Sequence, residues 1–119
     1  MHIGAAKQSM TSEDLLRKIK QLVLAGRYRV RIHALRHMIE EGFSEKDIIK
    51  ALLEDSRVIE DYDEEKRCLI LGHFLWNEGR KSPLHVVCDY SNPNIIDLVT
   101  AYVPQMPWWI SATKRGKKK

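Results

Sequence analysis

The chain predicts an α+β domain in which N-terminal helices lie against one face of a four-stranded antiparallel sheet. Two observations carry the prediction. Up to about Asp55 the apolar residues recur at three- and four-residue spacing, and from Arg57 onward the period changes to two. The period-two runs are joined by turns short enough for antiparallel neighbours, and helices followed by strands imply a layered fold. At 119 residues the chain is one domain, large enough to build a core without metal or disulfide staples.

Residues 1–10 lack periodicity and are expected to fray. Thr11 or Ser12 then reads as an N-cap, with Glu13 and Asp14 in the first turn, where negative charge complements the helix dipole. Leu15, Leu16, Ile19, Leu22 and Val23 share one helix face up to Ala25, and Gly26 supplies the stop. Arg27–Ile32 alternates basic and apolar residues. It reads either as a strand burying Tyr28, Val30 and Ile32, or as a short extended lead into the next helix.

A second helix is expected over His33–Glu41, ending at Gly42, with Leu35, Met38 and Ile39 as its apolar stripe. Ser44-Glu45-Lys46-Asp47 resembles a capping box with aspartate in place of glutamate, opening a third helix through Ile48, Ile49, Ala51, Leu52 and Leu53. The tight Gly42-Phe43 turn suits a helix-turn-helix, although such a unit is more often an αα-hairpin packed on a sheet. Strands follow at Val58–Tyr62, Arg67–Phe74, Pro83–Tyr90 and Ile95–Val103, separated by the turns around Asp63–Glu65, Asn77–Arg80 and Ser91–Asn94. The folded domain should span 11–110, and 111–119 should be a disordered basic tail.

A composition of 44% hydrophobic and 30% charged residues is ordinary for a soluble domain. No apolar run approaches a membrane span, and no signal-peptide layout opens the chain, so a cytoplasmic protein without a membrane partner is expected. Cys68 and Cys88 fall in strand-like runs and read as buried free thiols. The spacing of Cys and His implies no metal, and nothing in the chain implies another cofactor. The +4 net charge is a tail effect. Lys114, Arg115, Lys117, Lys118 and Lys119 carry five positive charges, and the remainder stands at −1. Such a tail either binds phosphates nonspecifically or is a solvated terminus, the commoner case.

Two histidines stand out. His85 interrupts an apolar strand, Pro83-Leu84-His85-Val86-Val87-Cys88, where an unpartnered imidazole would cost roughly 1–3 kcal/mol. His33 heads the second helix, with Arg36 and His37 close by. If helix and strand meet there, they form a small cationic, titratable cleft. The competing reading makes His85 a structural histidine that ties helix to sheet. A zinc site from His33, His37 and His85 is a third, weaker alternative without an HExxH motif. His73 and His2 are expected at the surface.

Five segments in order resemble a bacterial domain-of-unknown-function family: His33-Ala34-Leu35-Arg36-His37-Met38, Ser44-Glu45-Lys46-Asp47-Ile48, Val58-Ile59-Glu60-Asp61-Tyr62, Pro83-Leu84-His85-Val86-Val87 and Thr100-Ala101-Tyr102-Val103-Pro104. The family opens its helix with His-Ala-x-x-Arg-Met. This chain departs there by an expected one-residue insertion that shifts the register, leaving Arg36 or His37 in the arginine's place. The family in turn is similar to RelE/ParE-type toxins of toxin–antitoxin modules. That likeness implies a helices-then-sheet fold, a metal-free RNA-cleaving or translation-inhibiting activity, RNA or the ribosome as target, and an antitoxin-like protein partner.

Cleaving RNA without a metal requires activating a 2′-hydroxyl, protonating the leaving oxygen and stabilising charge on phosphorus. Histidines near neutral pKa can transfer the protons, and arginine forks hold phosphate. The expected catalytic residues are His33, His85, Arg36 and Tyr102, with Arg29, Arg31, His37 and Trp108 contacting substrate. Trp108-Trp109 could stack on bases or bind a protein. The alternative reading is a non-enzymatic module that binds protein or nucleic acid.

Overall fold

A computed structural model of the chain describes residues 10–105 and 109–116; the expectations for residues 1–9, for Trp108 and for the end of the tail, 117–119, lie outside them. Helix α1 (Ser12–Leu24) starts where the Thr11 hydroxyl accepts the Asp14 N–H at 3.0 Å, and it buries Leu15, Ile19 and Val23. Strand β1 (Tyr28–Val30) is short. Helix α2 (Ile32–Glu41) closes at Gly42, whose φ of 87° is the left-handed conformation that glycine adopts without strain. Helix α3 (Glu45–Leu53) opens on the expected capping box between Ser44 and Asp47. Strands β2 (Arg57–Tyr62), β3 (Arg67–Leu75), β4 (Lys81–Asp89) and β5 (Ile96–Tyr102) follow, with a 3-10 turn at Asp63–Glu65.

The fold is α+β, but among the described residues the sheet has five strands in the order β1-β5-β4-β3-β2. The expected four-stranded, wholly antiparallel sheet is corrected by β1, which runs parallel to β5 with Tyr28 opposite Ile96 and Val30 opposite Leu98. Period two identifies a strand and is silent about its direction. The lead-in reading of the same segment also holds, because Arg31 N–H bonds the Leu98 carbonyl just before α2 begins.

Helix α2 then runs beside the rest of β5. It starts at the Leu98 level and ends where Glu41 Oε1 accepts the Val103 N–H at 2.8 Å. Ten helical residues and five strand residues both span about 15–16 Å, so the helix shields the edge that β1 leaves open. Ala34 is fully buried and Met38 packs on the core, whereas Leu35 and Ile39 are 43% and 84% exposed. The expected stripe of Leu35, Met38 and Ile39 is therefore wrong except at Met38. Ala34 and Met38, four residues apart, also show that His-Ala-x-x-Arg-Met maps onto His33–Met38 without an insertion. The arginine's position falls on His37.

The sheet has two unlike faces. On the helix face, Cys68, Ile70 and Phe74 of β3, Leu84, Val86 and Cys88 of β4, and Ile96, Leu98 and Ala101 of β5 form the core with α1 and α3. A Cβ on Gly72 would lie 2.3 Å from the Ala51 carbonyl oxygen, so the glycine is what lets α3 sit directly on β3. Cys68 and Cys88 face each other across β3 and β4 as buried free thiols, and the hydrogen bond between the two sulfurs together with burial pushes the Cys88 thiol well up. The opposite face carries Glu60, Tyr62, Leu69, Leu71, His73, His85 and Tyr102. Residues 109–116 fold back over it, so the part of the expected disordered tail that is described, 111–116, lies against the sheet instead.

Candidate functional site

Alternation along β4 places Leu84 and Val86 in the core and turns His85 to the opposite face, where it is nevertheless 0% exposed. Its partner is not on a helix. The Nε2–H donates to the Ala112 carbonyl at 2.6 Å, which leaves Nδ1 as the nitrogen facing the Tyr102 hydroxyl at 3.4 Å. Trp109 stands edge-on to the imidazole with centroids 4.3 Å apart. Burial pulls the His85 pKa below its ordinary 6.5, against a smaller upward pull from the Ala112 bond, so the ring is neutral at pH 7.

Tyr102 is the register partner of His85 on β5, with ring centroids 5.3 Å apart, and burial raises its phenol so that it keeps its proton. His37 reaches the same tyrosine from α2, at 6.2 Å between centroids. The Glu41 carboxylate holds that imidazole: Oε2 accepts from Nδ1 at 2.5 Å, while Oε1 is the atom that bonds Val103 N–H. In the neutral ring this leaves the lone pair on Nε2. The His37 side chain is 34% exposed, so solvent reaches it. One helix and two strands thus bring His37, Glu41, Tyr102 and His85 together at one end of the sheet. A carboxylate-held histidine can take or give a proton, and a protonated phenol beside it can donate one.

The expected cleft between His33 and His85 does not form. His33 and Arg36 are exposed on α2, and no hydrogen bond joins either to His85 among the described residues. The reason is rotational: with Ala34 and Met38 turned inward, positions 33 and 36 point away. Arg29 is also engaged elsewhere, bonding both oxygens of Asp97 at 2.8 and 3.0 Å, and Arg31 lies 3.8 Å from the same carboxylate. His73, expected at the surface, is half-buried, and its Nδ1 has no partner among the described residues. No three His, Cys, Asp or Glu side chains among the described residues are placed to hold a metal.

Sequence reasoning missed Glu41, Glu60, Asp97 and Arg115. Only Glu41 left a local signal, since it follows His37 by four residues on one helix face. Arg115 donates from Nε and Nη2 to the two carboxylate oxygens of Glu60, each at 2.9 Å, reaches the Tyr62 hydroxyl, and lies over the Trp109 ring at 4.6 Å. No helix among the described residues is long and apolar enough to cross a membrane.

No curated protein and no solved structure matches the chain. A family model described as a domain of unknown function (DUF4258) matches residues 31–103, from the residue before α2 through the end of β5, and so takes in His37, Glu41, His85 and Tyr102. Because that match covers well over half of the chain, the protein belongs to the DUF4258 family.

Proposed function

We propose that the chain is a toxin-like, metal-independent ribonuclease domain that works at the Tyr102 end of the sheet, with His37 as its proton-transfer group. The observation that carries this reading is the Glu41 carboxylate holding a half-exposed His37 beside Tyr102. His37 Nε2 takes the proton of an RNA 2′-hydroxyl as that oxygen attacks the adjacent phosphorus. The bond to the 5′-oxygen breaks, the Tyr102 phenol gives that oxygen a proton, and a 2′,3′-cyclic phosphate results. Arg36 is exposed on the neighbouring side of α2 and holds no ion pair among the described residues, so its fork remains open to phosphate. RNA or the ribosome is the target on this reading, and an antitoxin-like protein is the natural partner.

The test is to incubate the purified chain with single-stranded RNA in the presence of a chelator and to look for 2′,3′-cyclic ends. His37→Ala should lower the rate by about 10²–10⁴, and Tyr102→Phe should also lower it. Absence of cleavage by the parent chain, or cleavage untouched by either substitution, overturns the reading.

A second reading, a non-enzymatic binding module, is favoured by one feature of α2. Ile32, Leu35 and Ile39 are 65%, 43% and 84% exposed and share one side of the helix at spacings of three and four. Such a stripe suits a protein partner. On this reading, charged substitutions at Leu35 and Ile39 abolish partner binding, and His37→Ala does not.

A further inference from the structure

We infer that residues 109–116 are an intramolecular latch that shields His85, held shut by the Arg115–Glu60 pair. The inference rests on the reading of the Tyr102 end as the working site and adds its regulation.

The latch is a separate layer. Among the described residues its backbone bonds stay within the segment and its approach: Trp109 N–H to the Gln105 carbonyl, and Ile110 N–H and Ser111 N–H to the Lys114 carbonyl. Its β-bridge pairs two of its own residues, Trp109 and Arg115. Among the described residues it adds no strand to the sheet. Side chains make the attachment at three places. The His85 imidazole bonds the Ala112 carbonyl, Trp109 lies edge-on to that imidazole and is 4% exposed, and Arg115 grips Glu60 and Tyr62 on β2. The segment lies outside the 31–103 stretch matched by the family model.

None of the described attachments is made to a residue of the helix-face core cluster. The Arg115–Glu60 pair is partly exposed, with side chains 51% and 23% accessible, and such pairs are screened and individually weak. The described groups bonded to or stacked on His85 are Tyr102, Trp109 and Ala112. Two of the three leave with the latch. Opening therefore changes the Tyr102 end from one solvent-reachable imidazole, His37, to two that flank the phenol.

Solvent access to His85 is the direct readout, measured as deuterium exchange at the imidazole C2 position by mass spectrometry, with exposed His33 as the internal reference. In the parent chain His85 should exchange at least tenfold more slowly than His33. Arg115→Gln should close much of that gap, and a chain ending at Gln105 should close it fully. Circular dichroism checks that each variant is folded; if the shortened chain unfolds, Arg115→Gln alone decides. A folded Arg115→Gln chain that protects His85 as well as the parent overturns the latch. The result is separable from the ribonuclease reading. Faster exchange with no RNA cleavage in any variant leaves the latch standing and removes the enzyme; cleavage that does not accelerate in Arg115→Gln removes the latch as a regulator.

Discussion

The two faces of the sheet are held by different physics. The helix face is a continuous apolar contact in which α3 sits so close to β3 that Gly72 has no room for a side chain. The latch face is polar and titratable, and residues 109–116 meet it through an imidazole, a tryptophan edge and an ion pair. Burial of apolar surface is nondirectional and close-packed, so the first face resists any change of volume. Hydrogen bonds and half-exposed ion pairs nearly exchange with water, so the cost of opening the second face falls mainly on uncovering the buried Trp109 ring. On the latch reading, stability belongs to one side and responsiveness to the other.

That contrast can be broken most forcefully at Gly72. Gly72→Ala drives a methyl group into the Ala51 carbonyl, and since both partners are backbone, neither can swing aside. A loss of about 3 kcal/mol in urea unfolding is expected, as for other overpacked cores. A near-neutral result would mean that α3 floats on the sheet and that the helix face is not close-packed.

Acidification should act on the other face. The folded-state pKa of His85 lies below the unfolded value, so the unfolded chain binds more protons in the interval between them. The stability this neutral ring contributes is present above pH 6.5 and is lost as the pH falls through its lowered folded value. The groups facing the ring are Tyr102, Trp109 and Ala112, with Glu60 and Arg115 acting at longer range. Melting curves from pH 7.5 to 5 should show a decline that His85→Gln flattens. Equal slopes for the two chains would remove His85 as the cause.

Smaller effects sharpen the comparison. Ser44→Ala removes the hydroxyl that accepts the Asp47 N–H and should cost about 1 kcal/mol in thermal or urea unfolding. Glu60→Gln breaks the ion pair with Arg115 and should cost roughly 0.2–1 kcal/mol globally. Its larger mark should be on tryptic cleavage after Lys114 and Arg115, which should speed up while cleavage within α1 stays unchanged. A global loss larger than that of Gly72→Ala would show that the latch is part of the core.

Much of the fold was legible because its signals are local. The Thr11 and Ser44 caps, the glycine stop at Gly42 and the period-two runs each depend on residues within a few positions of one another. Errors arose where the deciding partner lies far along the chain. The β1 direction depends on β5, as in the Arg29–Asp97 pair 68 residues apart. The His85 partner is a backbone carbonyl 27 residues later, which no side-chain pattern can announce. Leu35 and Ile39 look like core residues by spacing, yet α2 lies beside a strand edge and buries only the side that carries Ala34 and Met38. The candidate site was half legible. His37, His85 and Tyr102 were named from the sequence, whereas the exposed placement of His33 and Arg36 depended on the rotation of α2.

From the sequence alone came the single α+β domain, the order of helices and strands, the capping residues and the family likeness, because periodicity and caps are short-range properties of the chain. Tertiary structure alone decided which side of α2 is buried, that β1 lies parallel to β5, and that the C-terminal segment closes over His85. Those outcomes depend on which distant surfaces meet, and burial energy is a property of the pair of surfaces rather than of either stretch of residues.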